Sequence, residues 1–97
     1  VILSHVIKGF KHNGLQRFFE TGSKRGIQPK HVNQLRDILA TLDAATSPRD
    51  MGAPSFRLHR LEPHGANIWS IYVAKNWSVD IRFVGGHAEA VDYLDHH

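Results

Sequence analysis

Midway along the chain the spacing of apolar residues changes, and this switch limits the available folds more than any single motif. Before it, Val32, Leu35, Ile38, Leu39 and Leu42 recur at i, i+3, i+4 and i+7, the repeat of a helix with one apolar stripe. After it, residues 56–61, 68–74, 77–84 and 88–93 are rich in β-branched and aromatic side chains, which suit a pleated surface. Residues 44–54 separate the two regimes with Thr46, Ser47, Pro48, Gly52 and Pro54, and read as a long irregular connection.

The rest of the chain fits around this division. Residues 6–10 form a short apolar run, a candidate strand, and Lys11-His12-Asn13-Gly14 reads as a polar turn. Leu15, Phe18 and Phe19 mark a short amphipathic helix that stops at Thr21-Gly22, and Pro29 suits the first turn of the next helix because its missing N–H is not needed there. The pairs Lys75-Asn76 and Gly85-Gly86 have the length and residue types of tight hairpin turns. The expected architecture is α+β: a single domain of two helices packed on an antiparallel sheet, in the order β-α-α-β-β-β-β. One sheet face is then left for solvent or for binding.

A chain of 97 residues has room for one core. The absence of cysteine excludes a disulfide framework, a thiol nucleophile and a thiolate zinc site. No apolar run reaches the length of a membrane span, so a cytoplasmic protein without a membrane partner is expected. Twelve Lys and Arg against nine Asp and Glu give a net charge of +3, a mild attraction for polyanions.

Eight histidines are the main chemical resource, since imidazole can accept and donate protons near neutral pH. His5, His12 and His31 fall at the terminus, in a turn and at a helix start, and read as solvated. In residues 56–61, strand alternation puts Arg57, His59 and Leu61 on one face and Leu58 and Arg60 on the other. The C-terminal Asp92-Tyr93-Leu94-Asp95-His96-His97 offers further carboxylates and imidazoles. Neighbouring side chains of an extended segment diverge, so His96 and His97 make a poor metal site. From residue types alone, an ordinary strand histidine at 59 and a frayed tail or the remnant of a purification tag at 95–97 stay open beside a functional reading. Trp69, Tyr72, Trp77 and Phe83 read as core, and Asp80 and Arg82 share the polar face of their strand. No phosphate-cradling glycine loop is present.

The blocks Ile7-Lys8-Gly9-Phe10-Lys11-His12-Asn13-Gly14-Leu15, Phe19-Glu20-Thr21-Gly22-Ser23-Lys24, Leu42-Asp43-Ala44-Ala45-Thr46-Ser47, Phe56-Arg57-Leu58-His59, Trp69-Ser70-Ile71 and Asn76-Trp77 closely resemble the HigB toxins, the killer-protein branch of the RelE/ParE superfamily. The resemblance runs from about Val6 to His97. Val6 falls where family members start, so residues 1–5 are expected to be an extension and residues 6–97 the RelE/HigB-like toxin domain.

The resemblance implies a RelE-like fold and the toxin of a type II toxin–antitoxin module. It also implies a ribosome-dependent mRNA endoribonuclease that inhibits translation, needs no metal or other cofactor and acts on mRNA in the ribosomal A-site. The implied protein partner is a cognate helix-turn-helix, HigA-like antitoxin, with operator DNA contacted only through that antitoxin. The implied chemistry is attack of a ribose 2′-hydroxyl on the adjacent phosphate, with a proton acceptor, a proton donor and nearby cations.

Carried over by position, the catalytic set is His59, Asp95, His96 and His97, with His59 and His97 as the proton-transfer pair, His96 for stacking or proton transfer and Asp95 for orientation. Arg57, His64 and Arg82 are the candidate RNA-binding groups. Three departures stand out: His96 replaces the family tyrosine, Glu62 replaces a lysine and Ser78 replaces an arginine. The basic loop is also reduced to Pro63-His64-Gly65-Ala66-Asn67. With fewer cations near a developing negative charge, attenuated cleavage is expected. A non-cleaving pseudo-toxin that only binds antitoxin or ribosome, and a ParE-like DNA gyrase inhibitor, are the alternative readings.

Overall fold

The computed structural model describes residues 7–61 and 67–96. The expected extension at residues 1–5 and the candidates Glu62, His64 and His97 lie outside the described residues. Helix α1 covers Asn13–Thr21 and α2 covers Val32–Ala44, followed by strands β1 (His59–Arg60), β2 (Ile68–Ala74), β3 (Trp77–Val84) and β4 (His87–Asp95). The strands form one antiparallel sheet in the order β1-β2-β3-β4, so the helices-on-a-sheet architecture expected from the sequence is the one observed.

Local chemistry fixes the helix ends. At α1 the His12 imidazole accepts a hydrogen bond from the Leu15 N–H at 2.9 Å, satisfying one of the donors that a helix start leaves without a partner. Gly22 ends the helix at φ +78, a conformation that costs a residue without Cβ little. A 3₁₀ turn at Pro29–His31 leads into α2, which buries Val32, Leu35, Ile38, Leu39 and Leu42. Each such side chain contributes about 1.5–3 kcal/mol by leaving water.

The stripe packs on the inward residues of the sheet, Ile71 and Val73 from β2, Val79, Ile81 and Phe83 from β3, and Ala88, Val91 and Tyr93 from β4. Ser70, Tyr72, Ser78, Asp80, Arg82, Leu94 and His96 alternate with these and belong to the other face. The sheet thus turns a mixed polar and aromatic surface away from the helices.

Three strand readings change in detail. The candidate strand at residues 6–10 is reduced to parallel bridges of Ile7 with Ala88 and of Phe10 with Val91, which cover the outer edge of β4. The run at residues 56–61 keeps only His59–Arg60 as a strand, because Pro54 opens a 3₁₀ turn at Pro54–Phe56 and Arg57 follows in the left-handed region at φ +44. In β4 the pairing slips between Asp80 and Arg82 of β3, and Ala90 takes φ +54. This bulge inserts one residue and changes which side chains face inward: Ala88 is buried before it, and Val91 and Tyr93 after it.

Residues 44–54 are less irregular than expected. They contain a 3₁₀ turn at Pro48–Met51, and Met51 is completely buried. Both hairpins turn where the sequence places them. Gly85 and Gly86 have positive φ of 57 and 82, the signature of a type I′ connection between Val84 and His87.

Candidate active site

On the sheet face opposite the helices lies a cleft of about 410 Å³ lined by Arg57, His59, Leu61, Ser70, Tyr72, Ala74, Asn76, Trp77, Ser78, Asp80 and His96. Its size is within the range of roughly 300–1,000 Å³ typical of small-ligand sites. The three residues that alternation grouped on one face of the first strand, Arg57, His59 and Leu61, all reach it.

β1 pairs with β2 so that His59 stands opposite Ser70. The His59 ring stays exposed, with Nδ1 3.3 Å from the Arg57 carbonyl oxygen. The Arg57 guanidinium lies 4.3 Å from the centroid of the Tyr72 ring, close enough for cation–π attraction. A cation and an imidazole thus stand side by side at one end of the cleft.

His96 arrives from the far end of the sheet. Its N–H donates to the Asn76 carbonyl oxygen at 2.6 Å, carrying the β3–β4 pairing one residue beyond β4. Its Nε2 lies 2.7 Å from the Ser78 hydroxyl oxygen, and that hydroxyl donates to Asp80 Oδ1 at 2.9 Å. His59 from the first strand and His96 from just beyond the last therefore line one cleft.

The other candidates fall elsewhere. Asp95 is exposed, stands opposite Trp77 in the ladder and does not line the cleft. Arg82 is exposed in an adjoining groove with Lys11, Asp92 and Leu94, which shares Leu61 and Asp80 with the cleft.

Two histidines read as solvated are built into the structure instead. His12 caps α1 and meets Tyr93 edge-on at 5.3 Å. His31 is buried, with Nδ1 2.5 Å from the Tyr93 hydroxyl and its ring 5.2 Å from that of Trp77. The 3₁₀ turn before α2 pushes His31 inward under aromatic rings supplied by β3 and β4. Burial lowers the His31 pKa from its ordinary value, and the neighbouring Lys30 charge acts in the same direction. Burial raises the Tyr93 pKa, opposed by a backbone hydrogen bond at Gln28 and reinforced by Asp95.

Tyr72, expected in the core, is half-buried and lines the cleft, whereas Trp77 packs against the core as expected and also lines the cleft. The sequence reading also missed Ser70, Asn76 and Ser78 as lining residues. The alternation Ser78-Val79-Asp80-Ile81 places Ser78 on the polar face with Asp80, and this was the available signal. Among the described residues no helix is long and apolar enough to cross a membrane.

The model of the HigB-like toxin family, the RelE-like toxin of the type II toxin–antitoxin system HigB, matches residues 8–97. Endoribonuclease HigB of Proteus vulgaris is 35% identical over 92 residues, which cover 95% of this chain and 100% of the relative.

Proposed function

Because this chain belongs to the HigB-like family of RelE-like toxins from type II toxin–antitoxin systems, we propose that it is an endoribonuclease that cuts messenger RNA in the ribosomal A-site. The observation that carries this reading is the shared cleft: His59 and His96, from opposite ends of the sheet, line it together with Arg57. The name of the Proteus vulgaris relative, an endoribonuclease, supports the same reaction class.

The reaction needs little from the protein beyond placement, proton transfer and charge. A ribose 2′-hydroxyl oxygen attacks the adjacent phosphorus, and its proton passes to one imidazole. The bond from phosphorus to the 5′-oxygen breaks, and that oxygen takes a proton from the other imidazole. The products are a 2′,3′-cyclic phosphate and a 5′-hydroxyl. No metal takes part in this scheme, and proton transfer of this kind contributes about 10²–10⁴ in rate.

Arg57 supplies positive charge toward the phosphate, and Tyr72 and Trp77 offer faces on which a base can stack. Asp95, one residue from His96 and directed away from the cleft, would set the position of the tail. The role of His97 in proton transfer and of His64 in RNA binding rests on the resemblance alone. Arg82 serves RNA that runs on into the adjoining groove. The ribosome holds the message, so a small protein can act on a flexible substrate.

Glu62 and Ser78 stand where the resemblance has cations, which supports a weakened activity. In the cell the toxin acts in the cytoplasm, where ribosomes are, and a HigA-like antitoxin is its partner. We assign these properties to residues 6–97.

The test is a programmed ribosome incubated with the purified chain. New RNA 5′ ends within the A-site codon are expected, and a His59→Ala/His96→Ala double variant should lose them. Unchanged cleavage by the double variant would remove the proposed pair. Growth arrest without message cleavage would instead indicate a non-cleaving toxin, and inhibited supercoiling a gyrase inhibitor.

A further inference from the structure

We infer that Ser78 and Asp80 are positioning residues that hold the His96 imidazole as its Nε2–H tautomer and leave Nδ1 as the atom that takes up a proton. The inference rests on the proposal that His96 acts on RNA, and it adds which atom acts and what selects it.

The argument is a count of protons. A hydroxyl has one proton to give, and a carboxylate can only accept. The Ser78 hydroxyl donates to Asp80 Oδ1 at 2.9 Å, so its proton is spent there. The 2.7 Å contact between Ser78 Oγ and His96 Nε2 must then be made with a proton on Nε2. On a neutral ring the lone pair is therefore on Nδ1, free for the 2′-hydroxyl proton. Once Nδ1 is protonated, the ring is a cation whose Nε2–H points through Ser78 to a carboxylate. That hydrogen bond strengthens as charge develops.

The placement is built into the sheet. Ser78 and Asp80 are two apart on β3 and share one face, and Ser78 pairs with Leu94, two residues before His96. Ser78 is buried, so water competes little for its hydroxyl. The two positions where the resemblance implies a tyrosine and an arginine, His96 and Ser78, are thus in direct contact. The serine standing where a cation is implied gives the histidine its partner.

The experiment uses the whole chain with ¹⁵N-labelled histidine. Ring-nitrogen shifts of His96, assigned with a His96→Gln variant, are expected to show protonated Nε2 and bare Nδ1 at a pH where the ring is neutral. Ser78→Ala should release the ring to both tautomers. Asp80→Asn, whose amide can donate to Oγ and free the hydroxyl to donate to Nε2, should populate the Nδ1–H form. Ser78→Thr keeps the hydroxyl and should keep the wild-type spectrum.

On programmed ribosomes Ser78→Ala and Asp80→Asn should slow single-turnover cleavage about 10- to 100-fold, the worth of one hydrogen bond to a charged group, while Ser78→Thr restores it. Asp80 is half-buried, so its variant gives a second reading should loss of the buried Ser78 hydroxyl disturb the fold. A wild-type ring protonated at Nδ1, or full-rate cleavage by both Ser78→Ala and Asp80→Asn, overturns the inference and leaves the endonuclease reading intact. A wild-type chain that never cuts overturns the endonuclease reading. The ring spectrum, read on the free protein, still decides whether Ser78 and Asp80 hold the tautomer.

Discussion

His31 Nδ1 lies 2.5 Å from the Tyr93 hydroxyl, and both rings pack against Trp77, at centroid distances of 5.2 Å and 4.7 Å. Trp77 in turn lines the cleft. A buried polar pair therefore supports the aromatic wall on which the proposed RNA site depends.

This pair makes stability sensitive to acid. The folded His31 pKa is lowered by burial, so between that value and about 6.5 the unfolded chain binds the extra proton. Stability is complete above about 6.5 and declines as pH falls through this window. Urea midpoints measured from pH 8 down to pH 5 should fall, and the fall should shrink in His31→Gln. An equal decline in both proteins would assign the acid sensitivity to other groups.

Arg57 combines charge with a close approach of its guanidinium to the face of the Tyr72 ring. Arg57→Ala is expected to weaken binding of single-stranded RNA and to reduce the salt slope by the equivalent of about one phosphate contact. Arg57→Lys should recover the slope but not all the affinity, because an ammonium does not stack as a guanidinium does. Fluorescence anisotropy over a range of salt concentrations separates the two effects. An unchanged slope in Arg57→Ala would place this cation away from the RNA backbone.

Ala90 occupies the left-handed region at φ +54, where a Cβ costs about 1–2 kcal/mol. Ala90→Gly should raise the unfolding free energy by about 1 kcal/mol, and Ala90→Val should lower it. Chemical denaturation measures both. Destabilisation by glycine would show that the bulge is held by contacts of the alanine methyl group.

Met51 is completely buried although it lies in the connection between the helical and strand halves. Met51→Ala should cost about 2–5 kcal/mol, as a core position does. A loss below about 0.5 kcal/mol, the range of surface substitutions, would mean that this segment can be displaced without exposing the core.

The features legible in the sequence are those that depend on local spacing. The α2 stripe and the Gly85-Gly86 turn follow from period and residue type within a few positions, whereas Arg57 joins His59 and Leu61 at the cleft from a left-handed backbone that strand alternation does not describe. The burial of His31 does not, because the ring that accepts it is 62 residues away. Met51 escaped because no periodicity surrounds it in a segment that reads as turn. The partnership of Ser78 with His96 spans 18 residues and depends on ladder register. The entry of His96 into the cleft, with Asp95 outside it, depends on how β4 pairs with β3 beyond one surplus residue, Ala90.

The bulge absorbs that surplus residue, so the side chains that follow keep the phase that pairing with β3 dictates. Deleting Ala90 would close the bulge and leave every later side chain on its present face. One residue inserted between Tyr93 and Leu94 without a second bulge would instead shift the succeeding side chains by half a pleat, bringing Asp95 toward the substrate and turning His96 away. The same C-terminal residues would then present an acid in place of a base. In this scaffold an insertion can alter reaction chemistry without replacing any reacting group.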